Sequence, residues 1–136
     1  MTRRSGFSII LCIDMAKVFA LRRVSTLALR QRRERLLLRV QIPPYLIRAS
    51  VVERFGTCGK PNCACARGQK HGPFYYLTQC LAVGRVNKFL LKTEAARARA
   101  RQAAEAFSVF YDQIEELSQI NTELLRRGEP LTGSER

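Results

Sequence analysis

The chain has 136 residues, 46% of them hydrophobic, enough for one small domain with an appended helix but not for two full cores. Lys and Arg total 24 against 11 Asp and Glu, and the formal charge of +13 repels itself in a compact chain unless a polyanion, most commonly nucleic acid, relieves it. Five cysteines, three of them between positions 58 and 65, argue against a secreted disulfide framework and for metal ligands in a reducing, cytoplasmic compartment.

Residues 1–23 show no clean periodicity. Thr2, Arg3 and Arg4 precede an apolar stretch over 6–13, and Val18-Phe19-Ala20 loosely resembles a cleavage site. Asp14 and Lys17 interrupt the stretch, which is short for a signal core and far too short to span a membrane. We read 1–23 as a variable basic leader and Met15 as a second candidate start.

From residue 25 the pattern turns helical. Ser25 or Thr26 offers a hydroxyl to an orphan N–H and so caps a helix running to about residue 41. Leu29, Leu36 and Val40 share one face with Leu37 beside it, and arginines fill most of the rest. Pro43-Pro44 stops the helix. Over 45–55, Ile47, Ala49, Val51 and Phe55 alternate with polar residues, which predicts a half-buried strand. Residues 56–73 carry four glycines and two prolines and predict a loop that something must order. Strands over 74–82 and 86–91 follow, joined around Val83-Gly84-Arg85, where the glycine supplies the positive φ of a hairpin turn. Thr93 then opens a long helix to about residue 127, ended by Gly128 and Pro130. Within it, apolar residues at 107, 110, 114, 117 and 124 make a short heptad stripe with Asn121 in an apolar position. Such a stripe packs on the chain's own first helix or sheet, or on a second chain.

The loop carries the chemistry. Cys58, Cys63, Cys65 and His71 are spaced C-x4-C-x-C-x5-H, four N or S donors within fourteen residues. Zinc takes such a set in a tetrahedron, and the glycines and Pro61 let the chain double back to build one. Three thiolates and a neutral imidazole would leave a charge of −1 on the site, which Lys60, Arg67 and Lys70 offset while favouring thiolate over thiol. An iron–sulfur cluster usually takes four cysteines, and a catalytic zinc needs an open position and a general base, whereas no acid lies between Cys58 and Gly72. A redox dithiol and plain free cysteines are the other rival readings. Cys80 is expected to be a packed thiol in a strand, and Cys12 falls in the leader. His71 is the sole histidine, the acids outside the last helix are sparse, and there is no phosphate-cradling glycine loop, so the chain is expected to be a binder and not an enzyme.

The string CGKPNCACARGQKHGPFYYL, with RASVVERF before it, resembles a family of uncharacterised small prokaryotic proteins. Their signature reads roughly CGKPxCxC, a short glycine-containing spacer, then HGPY. It falls here on Cys58, Gly59, Lys60, Pro61, Cys63, Cys65, Gly68, His71, Gly72 and Pro73, with Phe74 where tyrosine is usual. The resemblance spans about 45–127 and implies a companion of mobile elements, encoded near transposases; the leader lies outside it.

The expected architecture is therefore α+β: a short N-terminal helix, a small antiparallel sheet with a metal-binding loop, and a long C-terminal helix. The expected organisation is a leader (1–23), one zinc-stapled domain (24–127) and a disordered tail (128–136). The expected function is zinc-stabilised binding of nucleic acid, DNA before RNA, as an accessory to a transposase or other mobile element. Arg48, Arg54, Lys60, Arg67, Lys70, Arg85 and Lys88 would meet phosphates. Tyr75 and Tyr76 alternate across the sheet, so only one of them can face the partner, and at least one packs in the core. The alternative is a protein-interaction module with a purely structural zinc, pairing through 107–124 with a transposase or a second copy. No membrane partner is expected.

Overall fold

The computed structural model describes residues 15–132; the first fourteen residues of the expected leader, with Cys12 and Asp14, and positions 133–136 of the expected tail lie outside it. The order is α1 (Met15–Arg22), α2 (Thr26–Arg39), β1 (Ser50–Gly56), a 3-10 turn (Ala64–Arg67), β2 (His71–Ala82), β3 (Arg85–Leu90) and α3 (Glu94–Arg126). The protein is α+β, as its sequence predicts. Two compact units form: one from the residues up to Ile42 with those from Val109 on, the other over Pro43–Ser108. Among the described residues no helix is long and apolar enough to cross a membrane.

The first unit packs the end of α3 on α1 and α2. Ser25 caps α2 by accepting from the Ala28 N–H at 3.2 Å. Leu29 and Leu36 of α2 meet Leu21 of α1 and Ile120 and Leu124 of α3 in one buried cluster. Four of these, Leu29, Leu36, Ile120 and Leu124, are fully buried, each stabilising by about 1.5–3 kcal/mol. Leu37, placed by the sequence beside the apolar face, is exposed instead. The eight residues of α1 are too few to show a stripe, which is why a helix there is invisible in the sequence; of its described side chains only Leu21 is buried. Arg127 ties this helix down. Its guanidinium donates to the carbonyls of Leu21 (3.2 Å), Arg22 (3.2 Å) and Val24 (2.8 Å), to Thr26 Oγ1 (3.1 Å) and to Glu123 (2.7 Å). It thus satisfies carbonyls at the end of α1 that have no partner within the helix. The end of α3 is closed by two backbone bonds, Glu129 N–H to Leu124 O and Gly128 N–H to Leu125 O, with Gly128 at φ 77°.

The heptad stripe divides. Leu117 and Leu124 pack inward with Ile120, a residue the stripe omits, while Ile114 is exposed. A straight helix drifts off a strict seven-residue repeat, so its buried face follows 117, 120 and 124.

The second unit is an antiparallel sheet in the order β1-β2-β3 with the start of α3 on one face. Thr93 caps α3, accepting from the Ala96 N–H at 3.1 Å. Seven alanines between 95 and 106 favour the helix, and small side chains let it lie close to the sheet. Leu77, Leu91 and Ala100 form the buried cluster, with Ile47, Ala49, Val51, Tyr75 and Ala96 packed around it. The strand expected over 45–55 is shorter than its pattern. Ile47 donates its N–H to Ala103 O (3.0 Å) and Ala49 donates to Ile47 O (2.9 Å), so these backbone groups never reach the ladder, although both side chains pack inward. Phe55, the last member of that alternation, is exposed. The β2–β3 hairpin turns at Val83-Gly84, with Gly84 at φ 73°, a conformation that favours glycine. β2 starts three residues earlier than expected, bringing His71, Gly72 and Pro73 into the strand.

Candidate metal centre

The cysteine loop is the long connection of the β1–β2 hairpin. It is closed at its base by pairing of Gly56 with His71, just beyond an irregularity between Arg54 and Gly56. There the β1 backbone leaves no room for a side chain on the facing strand. A Cβ on Gly72, at φ 133°, would lie 2.9 Å from Arg54 O and 2.9 Å from a Phe55 ring carbon, so only glycine fits. Beyond the base, Cys63 N–H returns to Lys60 O at 3.2 Å, a turn with Pro61 in its second position. Cys63 then starts the 3-10 turn over Ala64–Arg67, and Gly68, at φ 105°, ends it.

This path brings four donors together. The ligating atoms of Cys58, Cys63, Cys65 and His71 all lie within 4.8 Å of one another, and together they could hold a metal ion. Cys58 Sγ is 3.5 Å from Cys65 Sγ, and Cys63 Sγ is 3.2 Å from His71 Nε2. A tetrahedral zinc holds two sulfurs about 3.8 Å apart and a sulfur and an imidazole nitrogen about 3.6 Å apart, so these two pairs would open by a few tenths of an ångström around one, while any pair near the 4.8 Å bound would close by up to about 1 Å. Cys65 is buried, while Cys58 and His71 are exposed.

The electrostatics suit a cation. The Cys58 thiol is lowered to about 6, first by the Lys60 backbone N–H and then by hydrogen bonds with His71 and Cys65. Cys63 is also lowered, first by the Cys65 backbone N–H and then by the Cys65 side chain. At Cys65 the Cys58 backbone N–H, 3.4 Å from the sulfur, acts downward, but burial and the neighbouring sulfurs outweigh it and raise the thiol. Hydrogen bonds to Cys58 and Cys63 raise His71. Sulfurs crowded this closely compete for protons, and a divalent cation would relieve that competition.

Cys80 stands apart. It is exposed, not packed as its strand position suggests, because its register, in line with Tyr76 and Thr78 and opposite Val86, turns it away from the face that packs on Leu77; its Sγ contacts Ala82 O at 3.6 Å.

The centre adjoins the sheet face that α3 does not cover. Directly paired residues share a face, so Arg54 with Phe74, then Val52, Tyr76 and Leu90, then Ser50, Thr78 and Lys88, form three rows on this side. A cavity of about 540 Å³ is lined here by Arg54, Cys58, His71, Phe74, Tyr76 and Lys88, among others. Lys88 Nζ sits 4.3 Å from the centroid of the Tyr76 ring. Tyr75 points the other way, into the covered core, beneath the guanidinium of Arg97 at 4.5 Å. Glu53, paired with Tyr75, also faces away. Between Glu53 and Glu94 there is no acidic residue, against seven Lys and Arg.

Of the seven candidate phosphate contacts, Arg54 and Lys88 come together in the cavity. Lys60, Arg67 and Lys70 are exposed on the cysteine loop, and Arg85 is exposed at the far end of the hairpin. Arg48 donates to Cys80 O at 2.9 Å, away from that cavity. Sequence reasoning passed over Phe74 as a surface aromatic. The register carries that information, since Phe74 and Tyr76 lie two apart on β2 and opposite Arg54 and Val52.

Fold and site together define a small α+β protein whose hairpin loop presents a Cys3His cluster beside an open basic sheet face. Residues 26–99 match the family described as Domain of unknown function (DUF6788), and the chain belongs to it. No curated protein and no solved structure matches the chain. The matched region takes in α2, the whole sheet, the cysteine loop and the start of α3.

Proposed function

We propose that the protein is a zinc-stabilised nucleic-acid-binding protein, not an enzyme, acting on DNA as an accessory to a transposase or another mobile element. The observation that carries the binding reading is the acid-free stretch from Arg54 to Lys92, which folds into the cysteine loop and the uncovered sheet face. Among the described residues none of its cations forms an ion pair with a carboxylate, so a polyanion is the complement. Four N and S donors match a closed structural zinc better than a reaction centre, and no carboxylate lines the adjoining cavity. The link to mobile elements rests on the resemblance of the CGKPNCAC and HGPF strings alone.

The test is a salt series with labelled single- and double-stranded oligonucleotides, followed by fluorescence anisotropy. The logarithm of the affinity is expected to fall linearly with that of the salt concentration, with a slope of about −0.7 to −0.9 per phosphate contact. Absence of binding to every probe at low salt would remove the proposal.

A second reading, pairing through α3, is favoured by one separate observation. Asn121 Oδ1 is buried without a hydrogen-bond partner, in a groove lined by Ile114, Leu117, Leu125 and Leu131. A polar residue in such a stripe fixes the register between paired helices. A dimer in sedimentation equilibrium whose affinity or stoichiometry changes with Asn121→Leu would support it; a monomer at the highest attainable concentration would not.

A further inference from the structure

We infer that the open sheet face takes single-stranded DNA, with unpaired bases stacking on Phe74 and Tyr76 and phosphates held by Arg54 and Lys88. This rests on the nucleic-acid reading above and deepens it by naming the form of the ligand. Readers of the major groove of duplex DNA push a ridge, a helix or a two-stranded ribbon, into a channel about 12 Å wide. This face offers the opposite shape: a hollow of about 540 Å³ on a three-stranded sheet, whose packed helix α3 lies on the other side. Such a hollow has room for a base that leaves its own strand and presents no ridge to a major groove.

The ring spacing agrees. Phe74 and Tyr76 are two residues apart on one strand and on one face, which sets them about 6.6–6.8 Å apart along it. Bases stacked in a duplex are about 3.4 Å apart, so rings at twice that distance suit nucleotides already unstacked. Aromatic rings on a sheet engage any base through its π-face and therefore need no particular sequence.

The cations stand at the two sides of these rings. Arg54 is paired with Phe74 on the β1 side, and Lys88 reaches from β3 across Tyr76. The Lys88 ammonium lies over the ring that a base would need. Its flexible four-carbon stem lets it leave that position for a phosphate, exchanging a cation–π contact for an ion pair. Glu53, the one acid of the sheet, points to the opposite face and does not oppose the strand.

The experiment uses the full, zinc-loaded chain and two labelled probes: an oligodeoxythymidine of about 20 nucleotides, long enough to fill one sheet-sized site, and the same strand annealed to its complement. The single strand is expected to bind at least about tenfold more tightly, and Tyr76→Ala to weaken it about tenfold while Tyr76→Phe keeps the affinity. Phe74→Ala, at an exposed ring, is read in place of Tyr76→Ala should the latter lose its circular-dichroism signature. A duplex bound as tightly as the single strand, or a ring substitution that weakens both probes by the same factor, would overturn the inference while leaving the broader reading intact. Failure of both probes to bind would overturn both.

Discussion

Glu123 offers a test of how the first unit is held together. It is 6% exposed and accepts from Arg126 (2.7 and 2.9 Å) and Arg127 (2.7 Å), while Arg127 in turn holds the carbonyls at the end of α1. The Arg126 hydrogen bond is the largest cause that lowers its carboxyl from 4.5 to about 2. A carboxylate depressed in the folded state adds stability that is complete above its unfolded value near 4.5 and is lost as pH falls towards 2. The full shift would correspond to about 3 kcal/mol, but Arg126 is 56% exposed, and solvent screening reduces the contribution to about 1–2 kcal/mol. Glu123→Gln should therefore cost about that much at neutral pH in urea unfolding, and the difference from the parent should shrink by more than half by about pH 3. Acid release of a bound metal affects parent and variant alike, so their difference isolates Glu123. A variant within about 0.3 kcal/mol of the parent at neutral pH, or a pH-independent difference, would refute the assignment.

Other outcomes follow from the same packing. Leu124→Ala, at a fully buried position in the first unit, should destabilise by about 2–5 kcal/mol in denaturant titration. Gly72→Ala meets Arg54 O and the Phe55 ring and should cost on the order of 1–3 kcal/mol, with weakened metal affinity because the strand beside His71 must shift. Cys80→Ser, at an exposed sulfur outside the cluster, should leave metal content and thermal midpoint unchanged.

The sequence made much of this legible, for identifiable reasons. Ser25, Thr93 and Gly128 mark helix ends through local chemistry, and each acts as expected. The four residues of the Cys3His cluster could be singled out because soft donors are few and lie within one glycine-rich loop, and the fold brings them within 4.8 Å of one another. What was hidden depends on contacts distant in sequence. The α1 helix is short and is held by Arg127, more than a hundred residues away, which no local pattern reveals. Ile47 and Ala49 alternate like strand residues and partly bury their side chains, yet the Ile47 N–H is taken by Ala103. The aromatic face emerges only once β2 is in register with β1 and β3, because alternation assigns two faces without saying which one a helix covers.

We propose that Cys58, Cys63, Cys65 and His71 hold one zinc ion, and that the ion orders the hairpin loop. Mass-spectrometric metal analysis of the purified chain, paired with Cys63→Ser, tests it most directly. One zinc per chain is expected in the parent, and its loss in Cys63→Ser together with loss of cooperative folding of the sheet unit. A parent chain that folds cooperatively without metal, or a Cys63→Ser variant that keeps its zinc at full affinity, would contradict it.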